Sequence, residues 1–341
     1  MTMNLTERLE ALVALGDYIQ QDSPERQRVL RQSCQHNGWF TPENSLFALE
    51  QIAQAFLRRD ALEQWVAQYP ALQKEQAQKR VGLVLAGNIP AVGFHDLLCC
   101  FVAGHKALVK LSDKDKFLIG FLIEGLIAQD ERAKAYFEPT FILKNFEGVI
   151  ATGSNNSALY FQQYFEKYPS IIRQNRNAVG VLTGQETEAE LLELGKDIFT
   201  YFGLGCRSVS KLYVPEGYDF IPLLRTLDTY KDLHQHNKYR NNYDYNRSIY
   251  YLNNVPHLLN DCLMLLEDKS LLSRISSLHY ETYSSQEALE KELIERAEEI
   301  QCVVSPVSMG EIKVVPFGES QLPHLADYAD GVDTMAFLTS L

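Results

Sequence analysis

From Arg80 to Ser154 the sequence alternates short apolar runs with helical stretches, and this alternation restricts the possible folds more than any other feature. Residues 81–86 form a compact apolar run ending in Gly87-Asn88. A helical pattern covers 92–103 and closes at Gly104-His105. Residues 107–111 (ALVKL) form a second run, 117–129 a second helix, and 148–151 (GVIA) a third run entering Thr152-Gly153-Ser154. Parallel strands need a crossover between them, so strand–helix–strand–helix–strand predicts a parallel sheet with helices on its faces. Such sheets bind ligands beyond the carboxyl ends of their strands. Asn88, Lys110 and Gly153-Ser154 all fall at such ends.

A second set of elements begins near Ala178. Strands are expected over 178–183, 209–214, 249–252, 279–283 and 302–305, with a helix over 188–202 stopped by Gly203. Before Arg80 the chain reads as helical. Apolar residues recur at helical spacing over 5–19 and 46–57. Ser23-Pro24-Glu25 and Thr41-Pro42-Glu43 each supply an N-cap, a first-turn proline and an early acid. The stretch 313–341 holds one strand and is then too apolar and aromatic for a loose tail. The expected class is α/β, with two α/β domains of parallel-rich sheets and an N-terminal helical region. The expected division is a helical region over 1–78 packing on an α/β domain over 79–176, a second α/β domain over 177–310, and a segment over 311–341 that docks back or mediates oligomerisation.

Composition narrows the functional classes. With 44 acidic against 32 basic residues and a formal net charge of −12, the surface repels phosphate backbones, so nucleic acid is not expected as a partner. One nucleotide can still be held by local backbone N–H groups and a lysine. The N-terminus carries acids and no continuous apolar core, and no stretch approaches the roughly 18 apolar residues of a membrane span, so a cytoplasmic protein is expected. The six cysteines, at 34, 99, 100, 206, 262 and 302, show no CxxC spacing and are expected as thiols.

Residues 202–208, Phe-Gly-Leu-Gly-Cys-Arg-Ser, carry the strongest chemical signal. Glycines at 203 and 205 permit backbone angles that other residues resist and let the main chain approach a substrate. Cys206 on such a turn can act as a nucleophile, nearby N–H groups can stabilise an oxyanion, and Arg207 favours the thiolate. The competing reading is a structural cysteine in a helix-to-strand turn. Asn88 can donate to an oxyanion or simply cap the next helix. Lys110 can reach a phosphate or ribose hydroxyl, or stand solvated. Gly153-Ser154 can cradle a pyrophosphate at a helix N-terminus, though TGS triplets are common in loops. Neither GxGxxG nor a Walker A motif is present. His234 and His236 lack further ligands at familiar spacing, so no metal is expected and residues 230–247 read as a polar loop.

The order of these pieces brings a family into view. Residues 85–115, AGNIPAVGFHDLLCCFVAGHKALVKLSDKD with its leading leucine, resemble the cofactor-domain segment of aldehyde dehydrogenases. ATGSNNSA resembles their later Phe-x-Gly-Ser turn, and LGCRSVSKLYV their catalytic-cysteine segment. YFGLGCRSVSKLYVP and FGESQLPHLADYADGVDTMAFL are similar to one branch, the fatty-acyl-CoA reductase of bacterial bioluminescence. The resemblance runs from about Arg80 onward. It implies that Cys206 attacks an acyl carbonyl to form an enzyme thioester, and that Asn88 and the Cys206 N–H stabilise the oxyanion. It also implies that Lys110, with Ser112 and Asp113 after it, faces the adenosine ribose and that Gly153 and Ser154 lie near the pyrophosphate. NADPH or NADH would supply the hydride, with NADPH favoured by the resemblance. An acyl-CoA or another acyl thioester would be the substrate, and a homo-oligomer or an acyl-transferring protein the partner. The oxidising members' upstream glutamate has no counterpart, because residues 171–182 (IIRQNRNAVGVL) hold no acid. Hydrolysis of a thioester needs a base that activates water, so its absence fits transfer between thiols. The Glu-x-Phe-Gly-Pro motif is missing too. An acyl-phosphate or acyl-carrier-protein reductase, and a non-catalytic nucleotide-binding subunit, remain the alternatives.

Overall fold

A computed structural model of the chain describes residues 2–74 and 77–341. The chain forms two compact units, one of residues up to Asn175 together with Pro323–Leu341, the other of Arg176–Leu322.

The first unit opens with helices α1 (Leu5–Gln20), α2 (Pro24–His36), α3 (Pro42–Gln51) and α4 (Arg59–Val66). Their starts follow local chemistry. Asn4 and Glu7 form a reciprocal capping box on α1, and Ser23 and Thr41 cap α2 and α3 ahead of first-turn prolines. Strand β1 (Arg80–Val84), helix α5 (Phe94–Val102), β2 (Lys106–Lys110), α6 (Lys116–Gln129), β3 (Phe137–Pro139), β4 (Gly148–Thr152), α7 (Asn155–Phe165) and β5 (Ser170–Arg173) follow. Among the described residues the sheet has five parallel strands in the order β3-β2-β1-β4-β5. The chain winds outward from β1 to β3, then restarts on the other side of β1 with β4. The switch point of this sheet therefore lies between β1 and β4, where a parallel α/β sheet opens its ligand crevice. The strand cores Val81, Leu83, Ala107, Val109 and Ile150 are buried against helices, as sheets covered on both faces require. Arg8 of α1 crosses to α5, donating from Nη1 to the Met3 carbonyl (2.6 Å) and from Nη2 to the Val102 carbonyl (3.1 Å). A cation on the last carbonyls of a helix complements its dipole.

The second unit contains β6 (Asn177–Val181), α8 (Glu188–Phe199), β7 (Val209–Pro215), α9 (Phe220–Leu227), α10 (Asn237–Leu252), β8 (Leu258–Leu259), β9 (Met264–Glu267), β10 (Ser277–Tyr283), α11 (Gln286–Glu295), β11 (Ile300–Val304) and β12 (Val314–Val315). Its sheet runs β12-β11-β6-β7-β10-β9-β8, parallel except where β8 meets β9. Lys211 of β7 is fully buried. Its Nζ donates to the Asp268 carbonyl (3.0 Å) and Glu281 Oε2 (2.5 Å) and sits over the Tyr213 ring, so its charge is answered on each side.

Two expectations fail here. Residues 230–247 are not a loop, and 249–252 are not a strand. A short 3₁₀ turn spans Asp228–Gln235, and α10 then runs through to Leu252. Tyr239, Tyr243, Asn246 and Tyr250 recur at helical spacing and are buried. The apolar stripe of α10 is written in tyrosine, whose hydroxyls donate to the Cys262 and Asn260 carbonyls and to Ser277 Oγ. Helix α8 also ends three residues before its expected end, at Phe199. Tyr201 and Phe202 adopt left-handed φ values of 55° and 59° and break the helix before Gly203.

From Pro323 the chain rejoins the first unit. Leu325, Tyr328, Met335 and Leu338 enter its core, and α12 (Thr334–Thr339) packs on α5. Trp65 Nε1 donates to the Tyr328 hydroxyl (2.8 Å), and His105 Nε2 lies 2.9 Å from the Leu338 carbonyl. Among the described residues no helix is long and apolar enough to cross a membrane.

Candidate functional site

In the first unit, the turns after β1, β2 and β4 all leave the carboxyl end of one sheet. Asn88 is exposed in the turn after β1. Gly87 beside it is buried against the turn after β2. A Cβ at Gly87 would stand 2.6 Å from Ser112 Cβ, so only glycine lets the two turns meet. Lys110 is the exposed last residue of β2. Ser112 Oγ accepts from the Lys114 N–H (3.3 Å), and the exposed Asp113 has its carbonyl 2.5 Å from His36 Nε2 at the end of α2. After β4, Ser154 caps α7, its Oγ accepting from the Ser157 N–H (3.3 Å). A Cβ at Gly153 would stand 2.8 Å from Ser157 Cβ, so the main chain there is bare by necessity. Asn88, Gly153 and Ser154 thus flank the switch point, with Lys110 and its turn one strand away.

Two buried acids hold these turns. Asp115 Oδ2 accepts from the N–H of Ala91 (2.6 Å), a residue in left-handed conformation at φ 55°. Burial pushes the Asp115 carboxyl up to about 7, against the pull of the Ala91 and Leu118 N–H groups. Asp96 of α5 receives both its bonds from Arg173 Nη1 (2.7 and 2.5 Å), and Arg173 Nη2 donates to Thr334 Oγ1 (2.8 Å). Arg173 ends β5 beside Thr152, and its carbonyl lies 3.4 Å from the Gly153 nitrogen. The Gly153 turn therefore rests on a buried ion pair.

In the second unit, Cys206 and Arg207 are the central residues of a closed turn. The Ser208 N–H donates to the Gly205 carbonyl (3.0 Å), and the Gly205 N–H donates back to Ser208 Oγ (3.2 Å). Strand β7 starts at the next residue. Upstream, Tyr201, Phe202 and Gly203 form a run of three left-handed residues. The two aromatics cost roughly 1–2 kcal/mol each in that region, and burial of both side chains holds them there, with Phe202 stacked on His236 at 4.4 Å. Cys206 is half-buried. Cys99, Cys100 and Cys262 are buried, and burial lifts their thiols, that of Cys262 to about 12. Cys34 and Cys302 are also half-buried, but lie within α2 and β11.

His236 caps α10 through Nδ1, and His234 Nδ1 lies 2.8 Å from the Asp261 carbonyl. Among the described residues no group of three or more His, Cys, Asp or Glu is placed to hold a metal ion. Sequence reasoning does not single out Asp115, Asp197 or Gln321, and gives Ser208, at the end of the Cys206 segment, no role of its own. Asp115 sits between two lysines and reads as a solvated charge. Its one signal was its place immediately before a helix.

No family model matches the sequence, and no curated protein does. Solved structures do match the fold. An NADP-dependent enzyme from E. coli is 12% identical with a TM-score of 0.66, over 93% of this chain and 80% of that one. A betaine aldehyde dehydrogenase from Staphylococcus aureus is 11% identical with a TM-score of 0.65, over 91% and 72%. An indole-3-acetaldehyde dehydrogenase from P. syringae, in complex with NAD+, is 11% identical with a TM-score of 0.62, over 89% and 72%. The fold is aldehyde-dehydrogenase-like, with parallel-rich α/β sheets and helices.

Proposed function

We propose that this protein reduces an acyl-CoA to an aldehyde with NAD(P)H, carrying the acyl group as a thioester on Cys206. The observation that carries the reading is the Cys206 turn: a half-buried thiol at the tip of a closed, glycine-flanked turn entering a parallel strand, within an aldehyde-dehydrogenase-like fold. The Cys206 thiolate attacks the acyl carbonyl carbon and forms a C–S bond. The tetrahedral oxyanion, stabilised by the Cys206 N–H, collapses and expels the CoA thiolate. The acyl group is left on Cys206. Bound NAD(P)H would supply the hydride that reduces this thioester. The second tetrahedral oxyanion then breaks its bond to sulfur, which frees the aldehyde and restores the thiolate.

The first unit fits the dinucleotide. Bare backbone at Gly153 borders the switch point and leads into a capped helix of 11 residues, and an exposed lysine ends β2 one strand away. Lys110 and Asp113 would take the ribose, with Ser112 beside them, and Gly153 and Ser154 the pyrophosphate. The similarity to an NADP-dependent enzyme and to a dehydrogenase bound to NAD+ supports this cofactor class. The lack of any acid in 171–182 favours thiol exchange over hydrolysis.

Mass spectrometry after incubation with acyl-CoA, without NAD(P)H, tests the reading. The Cys206 peptide should gain the acyl mass and lose it when NAD(P)H is added. Cys206→Ala should take no acyl group and lose acyl-CoA-dependent NAD(P)H oxidation by roughly 10³-fold or more, with an unchanged melting temperature. Full turnover by Cys206→Ala would end the proposal. Acyl phosphate and carrier-bound acyl groups assayed in parallel identify the donor.

A further inference from the structure

The loop that carries Cys206 is bonded at both ends to one distant segment. Before the loop, Asp197 stands two residues from the end of α8 and is fully buried. Its carboxylate accepts from the N–H groups of Gly318 (2.7 Å) and Ser320 (2.9 Å). After the loop, the Oγ of the buried Ser208 accepts from the side-chain amide of the buried Gln321 (3.2 Å). The same oxygen accepts the Gly205 N–H that closes the Cys206 turn. Residues 318–321 therefore tie the start of the loop to its finish. Between the two ties lies the left-handed run Tyr201-Phe202-Gly203, whose angles persist only where the surroundings over-determine them.

We infer that Gln321 is a positioning residue for Cys206: its amide pins Ser208 Oγ, Ser208 closes the turn on Gly205, and Asp197 anchors the segment that presents Gln321. The role rests on the proposed reading of Cys206 as acyl carrier. Ser208 Oγ is the shared atom, so removing either partner of the Gln321–Ser208 bond loosens the same turn. The turns proposed to hold the dinucleotide belong to the first unit.

The test is the rate of Cys206 alkylation by iodoacetamide, read by mass spectrometry, in the full chain and in Gln321→Met, Ser208→Ala and the double variant. Methionine fills the glutamine's volume without a donor. Gln321→Met should alkylate Cys206 about tenfold more slowly at neutral pH and lower kcat by about tenfold, with KM for NAD(P)H within about twofold of the parent. The double variant should be no slower than Ser208→Ala alone, because Ser208→Ala already removes the bond that Gln321→Met removes, along with the Gly205 bond. Wild-type alkylation by Gln321→Met, or a double variant whose loss is the product of the two singles, overturns the inference. Should Gln321→Met fail to fold, Gln321→Ala at lower temperature gives the same comparison. Alkylation needs no acyl-CoA. Slowed alkylation in a protein whose wild type accepts no acyl group sinks the acyl-transfer reading and leaves the positioning role standing, whereas normal alkylation with intact acyl transfer sinks the positioning role alone.

Discussion

The two units secure their loops with different chemistry. In the first, the turns beyond the sheet rest on charge: the buried Arg173–Asp96 pair under the Gly153 turn, and Asp115 under the turn that holds Asn88. In the second, the groups that close the Cys206 turn are a hydroxyl, an amide and backbone, and the nearest buried acid of that network, Asp197, is held one segment away. On the proposed function, the first unit's turns receive an anionic dinucleotide and tolerate charged anchors. A carboxylate in contact with a thiol would disfavour its thiolate, so neutral supports suit the Cys206 turn in its proposed role.

The contrast can be broken at its strongest point first. Asp96→Ala leaves the Arg173 guanidinium buried without its partner, and denaturant unfolding should show a loss of about 3–5 kcal/mol. A loss below about 1 kcal/mol would mean that the first unit does not depend on charge. Asp115 gives a subtler measurement. Its folded pKa, about 7, lies above its ordinary value of 3.8. Between these values the folded chain keeps a proton that the unfolded chain has released. Stability from this group is thus full below about pH 4, falls as pH rises through about 7, and is level above. Asp115→Asn should flatten that fall, an effect on the order of a few kcal/mol between pH 4 and 8. Parallel slopes in the two proteins would remove Asp115 from the comparison. The smallest effect sharpens the division of labour: Lys110→Ala should raise KM for NAD(P)H about tenfold and leave the iodoacetamide rate of Cys206 untouched.

What the sequence discloses of this molecule depends on how far apart the interacting residues lie. Strands β1, β2 and β4 of the first sheet and β6, β7, β10 and β11 of the second are readable because each is a short apolar run, whereas the inner strand β9 goes unread. The caps at Ser23 and Thr41 are readable because capping acts over three residues. Strands β3 and β5 carry too few apolar residues to stand out. Helix α10 hides because tyrosine reads as polar by composition while burying a large ring. The turns at 88, 110 and 153 are visible as strand ends. The glycines around Cys206 mark a special backbone, yet Ser208 and Gln321 are separated by 113 positions, and no local pattern joins them. Long-range closure of a turn is a property of packing, and a string of residues does not spell it.

The second unit is spliced into the middle of the first. Arg173 reaches its hydroxyl partner Thr334 across 161 residues, and Met335 and Leu338 complete a core begun by α1. On the ribosome, the first sheet must therefore wait for its final wedge until the whole of Arg176–Leu322 has emerged. The later unit can shut before the earlier one, which inverts the usual N-to-C order of domain folding during synthesis. For that interval the apolar seat of α12 on α5 is bare, a window in which a chaperone would find its grip.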